Sequence, residues 1–266
     1  MTDRGPRLFT RYVAIGDSFT EGLSDADPNR ANSYVGWADR LAAHLAQIAG
    51  EANGTFGYAN LAVRGRLLND IAGPQVEAAM ALEPDLVSMV GGGNDILRPK
   101  ADIDALAARL EEAVARLRAI GADVLLATPA DPRDAPLVKA TRGRAAVFAA
   151  DIWSIARRHD AYVIDLWGMT TIRDWRLWAA DRIHLTSEGH RRVALNAFTT
   201  LGFTVDDVGW ADPLPAAPPI SRADAARANA QWAREYVGPW VQRRLRGQSS
   251  GDALSAKRPT VAPLED

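Results

Sequence analysis

Ser18, His184 and Asp181, three residues before that histidine, are the side chains best suited to doing chemistry together. A serine hydroxyl becomes a useful nucleophile only when a base takes its proton. A neutral imidazole, with an ordinary pKa near ~6.5, can take that proton around neutral pH and return it to a leaving group. Asp181 can reach the other ring nitrogen across a tight turn and hold the tautomer this requires. Each signal alone has an ordinary explanation. A serine just after an apolar run is a common helix cap, and an isolated Asp-x-x-His spacing arises often by chance. The surrounding Gly16-Asp17-Ser18-Phe19-Thr20 also departs from the G-x-S-x-G nucleophile elbow, because position 20 is threonine.

A second set of residues could stabilise negative charge on a reacting oxygen. Gly91-Gly92-Gly93-Asn94-Asp95 lacks both the Lys-Ser/Thr ending of a phosphate loop and the spacing of a dinucleotide fingerprint. Its glycines let the backbone bend sharply and bring the Asn94 amide close to a substrate. Gly65 offers an unencumbered backbone N–H, and the N–H of Ser18 is a further donor. Asp17 and Asp95 adjoin these candidates, and their expected role is to hold the loops carrying Ser18 and Asn94. Asn69 and Asp70 read as helix-start residues. Asp181, His184 and His190 together lack a clear further metal ligand, so no metal or other cofactor is expected. His190, His44 and His159 fall on helical patterns and read as structural.

The elements that must position these residues follow from the apolar pattern. Tyr12–Ile15, Tyr58–Val63, Leu86–Val90, Val124–Ala127 and Tyr162–Leu166 are short and mostly apolar, as in strands buried on both faces of a parallel sheet. Between them, Trp37, Leu41, Leu45 and Ile48 mark one helix, and Leu106, Leu110, Val114 and Leu117 another. Two more helices are expected over roughly Val138–His159 and Ser187–Leu201. The alternation predicts right-handed crossovers and a three-layer α/β/α sandwich around a five-stranded parallel sheet. Ligands bind beyond the carboxyl ends of such strands. The segments at 16–22, 64–65, 91–95 and 181–186 all fall on that edge.

The sandwich is expected over residues 8–203, followed by a Pro-rich linker at 204–220. Ser221 then opens a helical appendage reaching 247, with Trp232, Tyr236 and Trp240 at four-residue spacing. Gly238-Pro239 should break or kink it. That aromatic stripe is expected to pack on the sandwich, with a lid or a dimer contact as alternatives. The tail at 248–266 is polar and reads as disordered.

Composition narrows the function further. The 266 residues contain no cysteine, which excludes thiol nucleophiles and disulfides. A net charge of −2 gives no field to attract nucleic acid or an anionic membrane. No apolar stretch is long enough to span a membrane, and the N-terminus lacks the apolar core of a secretory signal. A cytoplasmic location is the expectation.

Gly16-Asp17-Ser18, Gly65 within Asn60-Leu61-Ala62-Val63-Arg64-Gly65, Gly92-Gly93-Asn94-Asp95 and Asp181-Arg182-Ile183-His184 resemble, in order and spacing, the four sequence blocks of the SGNH (GDSL-type) hydrolases. The resemblance covers roughly residues 10–202. It implies a flavodoxin-like sandwich and a metal-free serine esterase. Ser18 would be the nucleophile, His184 the base and Asp181 its orienter, with Ser18, Gly65 and Asn94 forming the oxyanion hole. The implied partner is a small-molecule ester. The same machinery could serve an acyltransferase or a carbohydrate O-deacetylase, and a non-catalytic binding module on this fold is the alternative from another class. Leu23, Pro99, Ile172, Trp175 and Trp178 are candidates for lining an acyl site. The absence of a long apolar loop favours short to medium acyl chains.

Overall fold

The computed structural model describes residues 6–135, 138–238 and 251–264. The strands are β1 (Arg11–Gly16), β2 (Gly57–Asn60), β3 (Leu86–Val90), β4 (Asp123–Ala127), β5 (Tyr162–Ile164) and β6 (Arg258–Ala262). They lie in the order β5-β4-β3-β1-β2-β6. The first five are parallel, and β6 runs antiparallel to β2. Apart from β6, this is the flavodoxin-type order, in which the connection from β2 crosses over β1 to reach β3. The topological switch point therefore lies between the carboxyl ends of β1 and β3.

Residues that alternate along each strand face opposite cores. Val13, Ile15, Val87, Met89, Val124 and Leu126 pack on one side of the sheet. That side is covered by α6 (Ile103–Ala119) and α7 (Arg142–His159), through Leu110, Val114, Phe148 and Ile152. Tyr12, Ala14, Leu86, Leu125 and Ile164 face the other side. There α2 (Gly36–Glu51) and α8 (Ser187–Thr200) pack together, burying Trp37, Leu41, Leu45, Val193 and Phe198. Both faces of the sheet are covered, which is why the strands read as continuous apolar runs.

Short helical turns connect the layers on the functional edge. They are α1 (Ser18–Glu21), α3 (Leu68–Asp70), α4 (Val76–Met80) and α5 (Gly93–Ile96). The second apolar run is only partly strand. Leu61 and Val63 leave the sheet beyond β2 but still donate to the Ala14 and Gly16 carbonyls, at 2.8 and 3.3 Å.

Two expectations about the chain's end are corrected. The sheet has six strands rather than five, and part of the tail expected to be disordered supplies the sixth. Composition alone misses β6 because its order comes from pairing with β2 rather than from its own apolar content. Pro259 within it is tolerated because β6 is an edge strand. The linker is docked at its start, where Arg191 pairs with Asp207 at 2.8 Å and Arg192 donates to the Asp212 carbonyl at 2.6 Å. The appendage helix α9 covers Arg222–Trp232 and continues as a wider π-helical turn over Ala233–Val237. Trp240 lies outside the described residues. Among the described residues, no helix is long and apolar enough to cross a membrane.

Leu41 is fully buried between α2 and the sheet. Leu41→Ala should lower unfolding stability by about 2–5 kcal/mol, read from a urea midpoint. An unchanged midpoint would contradict this packing.

Candidate active site

The turn after β1 is built for close approach. A Cβ on Gly16 would lie 2.7 Å from the Val90 carbonyl oxygen at the neighbouring strand end. The buried Gln75 side chain brackets this glycine, accepting from Gly16 N at 2.8 Å and donating to Gly16 O at 3.0 Å. Asp17 caps α1 by accepting from Phe19 N at 3.0 Å. Ser18 is therefore held in the first turn of α1, where backbone N–H groups have no acceptor within the helix.

His184 approaches from the other end of the chain. Its Nε2 lies 2.9 Å from Ser18 Oγ, and its Nδ1 lies 2.6 Å from Asp181 Oδ2. Asp181 Oδ1 accepts from the backbone N–H groups of Ile183 and His184, at 2.9 and 3.0 Å. Burial pushes the Asp181 carboxyl up, but its contacts with His184 outweigh burial and hold it below its ordinary value. An ionised Asp181 fixes His184 with Nδ1–H toward the carboxylate and Nε2 free to accept from the serine hydroxyl.

The turn between Asp181 and His184 is closed by Arg182 at φ +57°, a left-handed conformation uncommon outside glycine. Ala179 N donates to His184 O at 2.8 Å across it. The appendage packs directly on this turn, with Trp232 Nε1 donating to Asp181 O at 2.9 Å. The Arg182 guanidinium lies 4.8 Å from the Trp232 ring and 6.0 Å from that of Trp175, and donates to Asn229 Oδ1 at 2.7 Å. Of the aromatic stripe, Trp232 thus rests on the loop that carries Asp181. Beyond His184, Thr186 caps α8 by accepting from Gly189 N, and Ser187 Oγ donates to the buried Asp25 at 2.5 Å. Asp25 is also held by the Arg40 guanidinium and Gly36 N.

Gly65 sits in a loop tied to α1. The Arg64 N–H donates to Glu21 Oε2 at 2.7 Å, and the Arg64 side chain pairs with the same carboxylate while lying 5.1 Å from the Tyr34 ring. Gly65 itself has φ +76°, a region that favours glycine. Asn94, in α5, donates through Nδ2 to Asp17 Oδ2 at 3.1 Å and to Arg66 O at 3.0 Å. Both hydrogens of that amide are engaged, so an incoming oxygen must displace one of these acceptors. Asp95 accepts from Leu68 N at 2.9 Å, and Asp70 from Leu67 N at 3.1 Å. These contacts shape the chain that follows Gly65.

The remaining histidines point elsewhere. His190 is buried, its Nδ1 accepting from Trp37 N at 3.2 Å, and burial lowers its pKa to about 4. His44 packs on Phe198, and His159 Nε2 lies 2.9 Å from Glu111. Among the described residues, no group of three or more His, Asp or Glu side chains could hold a metal ion. Of the acyl-site candidates, Ile172 is buried and accepts through its carbonyl from Trp178 Nε1, whereas Trp175 remains 37% exposed. Gln75, Glu21 and Asp25 carry no motif, and only their contacts reveal their roles.

The comparisons agree with this architecture. Residues 14–192 match the GDSL-like lipase/acylhydrolase family, and the chain belongs to that family of ester-bond hydrolases. No curated protein matches the chain. Among solved structures, TesA is similar at 22% identity and a TM-score of 0.57, over 71% of this chain and 97% of TesA. LAE5, an alpha/beta hydrolase enzyme from the Lake Arreo metagenome, is similar at 24% and 0.61, over 73% and 95%. Axe2, an acetylxylan esterase from Geobacillus stearothermophilus, is similar at 21% and 0.60, over 73% and 95%.

Burial pushes the Asp17 carboxyl from its ordinary 3.8 up to about 6, against the Phe19 N–H and His184 and with help from Asp95 and Glu21. The folded state then holds this proton more tightly than the unfolded chain. The group therefore weakens the fold as pH rises from about 4 through 6. The Tm of Asp17→Asn relative to the parent should move in the variant's favour between about pH 4 and pH 8. A difference that stays constant with pH would contradict a buried, titrating Asp17.

Proposed function

We propose that this hydrolase is a serine esterase acting on carboxylic esters of short to medium acyl chains through Ser18, His184 and Asp181. The observation that carries the reading is the continuous hydrogen-bonded series Ser18 Oγ–His184 Nε2 and His184 Nδ1–Asp181 Oδ2, at 2.9 and 2.6 Å. Ser18 Oγ attacks the ester carbonyl while His184 Nε2 takes its proton. The carbonyl π pair moves onto oxygen, which is met by the N–H groups of Ser18 and Gly65 and by the Asn94 amide. Collapse of this intermediate expels the alkoxide, which takes the proton from His184, and leaves an acyl-serine. Water then attacks the acyl carbon, giving its proton to His184. The second collapse releases the acid and returns the proton to Ser18.

Asp17 and Asp95 act through others, Asp17 by holding Asn94 and Asp95 by holding the segment after Gly65. Ile172, a candidate lining residue, is buried in the core, and Trp178 is tied to its backbone. Trp175 is left as an exposed aromatic surface next to Arg182.

Ser18→Ala should abolish hydrolysis of p-nitrophenyl acetate and butyrate and labelling by a fluorophosphonate. Activity persisting in a pure sample would refute the nucleophile. In a chain-length series of p-nitrophenyl esters, kcat/KM should fall beyond medium chains, and a maximum at long chains would refute the acyl preference. Acetylated xylooligosaccharides belong in the same panel because of the similarity to Axe2. Asn94→Ala should lower kcat by ~10²–10³, the usual loss for one oxyanion donor. A fall of less than about threefold in a folded variant would remove Asn94 from that role.

A further inference from the structure

The chain that follows the family-matched segment returns to the active-site edge, and Gly251 stands at the point of contact. Gly251 is buried against the backbone of Arg64, the residue immediately before Gly65. A Cβ at this position would overlap the Arg64 carbonyl oxygen and lie 3.0 Å from the Val63 side chain. From here the chain runs through Lys257 into β6, which pairs with β2, the strand that leads into the Gly65 loop.

Lys257 fixes the middle of this strap, just before β6. Its half-buried side chain donates through Nζ to the carbonyls of Glu21, Tyr34 and Val35, at 2.8, 2.9 and 2.7 Å, and to Asp39 Oδ2 at 2.8 Å. Glu21 closes α1, which begins at Ser18. The Glu21 carboxylate in turn holds Arg64 through its N–H and its guanidinium. The strap thus touches the Gly65 loop at its start and the helix that begins at Ser18 at its middle.

The Arg64 carbonyl and the Gly65 N–H belong to one planar peptide unit, so fixing the direction of the carbonyl fixes that of the N–H. Glycine at φ +76° has little intrinsic resistance to rotation of that unit. Glu21 holds the preceding peptide, through Arg64 N, and leaves the Arg64–Gly65 peptide to be set by what packs on its carbonyl side. Gly251 occupies that side.

We propose that the strap 251–264 is a positioning element of the ester-hydrolysing site. Gly251, seated on Arg64, holds the Arg64–Gly65 peptide with the Gly65 N–H toward the reacting carbonyl, and Lys257 ties the strap to the helix that carries Ser18. The inference rests on the esterase reading, with Gly65 as an oxyanion donor. Gly251 is required for its size, since any side chain pushes either the strap or the Arg64 carbonyl out of place. Lys257 is required for its reach, since its ammonium meets three carbonyls and a carboxylate at once.

The test compares the full-length parent with Gly251→Ala and Lys257→Met on p-nitrophenyl acetate, with active sites counted by end-point titration with a fluorophosphonate. Gly251→Ala should lower kcat per titrated site by at least about tenfold, a partial loss of one oxyanion donor. KM should change little, and the shape of the pH–rate profile should be kept, because Ser18, His184 and Asp181 are untouched. Lys257→Met should move kcat in the same direction. A strap that only stabilises the fold would lower Tm and leave kcat per titrated site within about twofold of the parent at room temperature, and that result would overturn the proposal. If Gly251→Ala yields no folded protein, Lys257→Met is judged by the same criterion. A parent that does not hydrolyse the ester, or a Ser18→Ala variant that still does, would instead refute the esterase reading.

Discussion

The hydrogen bond between Ser18 Oγ and His184 Nε2 joins residues 166 positions apart, and most of the functional edge exists to make it. Ser18 is placed by the end of β1, a central strand whose neighbours are fixed by parallel pairing on both sides. His184 sits on a loop closed by an antiparallel bridge between Trp178 and Leu185 rather than on a strand of the sheet. Its position comes from α8, which packs on α2, and from the Asp25–Ser187 contact that ties the start of α8 to the loop after α1. A shift of α8 along α2 would carry His184 away from Ser18. The contacts between the two helices at Trp37, Leu41 and Val193 therefore matter to the site as well as to the core.

Around this bond, paired charges join loops to the neighbouring helices. Glu21 of α1 with Arg64, Asp25 with Arg40 of α2, and Asp39 of α2 with Lys257 each tie a helix to a segment of irregular chain. Buried pairs of this kind add little net stability, because desolvation offsets most of their attraction. Removing one partner is costly, since the other charge is left unpaired in a poorly solvated place. Such pairs penalise wrong loop arrangements more than they reward the right one. Where separate loops must meet at one edge of the sheet, that penalty is the useful property.

The sequence makes much of this legible. Strands buried on both faces must be apolar, so β1, β3, β4 and β5 are visible as runs, and the longest helices show their apolar spacing. Ser18, Gly65, Asn94, Asp181 and His184 stand out because residue type and position beyond a strand end carry their chemistry. What cannot be read is what depends on a distant partner. β6, Arg258-Pro259-Thr260-Val261-Ala262, lacks the continuous apolar run of the inner strands, and it becomes a strand only because β2 offers an edge to pair with. Lys257 is one lysine in a polar tail until its four acceptors are assembled from α1, the loop before α2 and α2 itself. Trp232 is readable as an aromatic at helical spacing, but its hydrogen bond to the Asp181 carbonyl is not.

The engagement of Asn94 bears on how such a site could favour a transition state over a substrate. Without substrate, its two amide hydrogens are taken by the Asp17 carboxylate and the Arg66 carbonyl. A neutral ester oxygen is a weaker acceptor than a carboxylate and gains little by displacing either. An oxyanion is a stronger, charged acceptor, and charge-assisted hydrogen bonds are roughly twice as strong as neutral ones. On the proposed reading, the Asn94 hydrogen bond is then made chiefly when negative charge develops. An interaction confined to that stage raises kcat rather than tightening ground-state binding. Of the two acceptors the Arg66 carbonyl is the neutral one, so on the proposed reading it is the partner that an oxyanion displaces at a gain, while the Asp17 carboxylate keeps Asn94 in place.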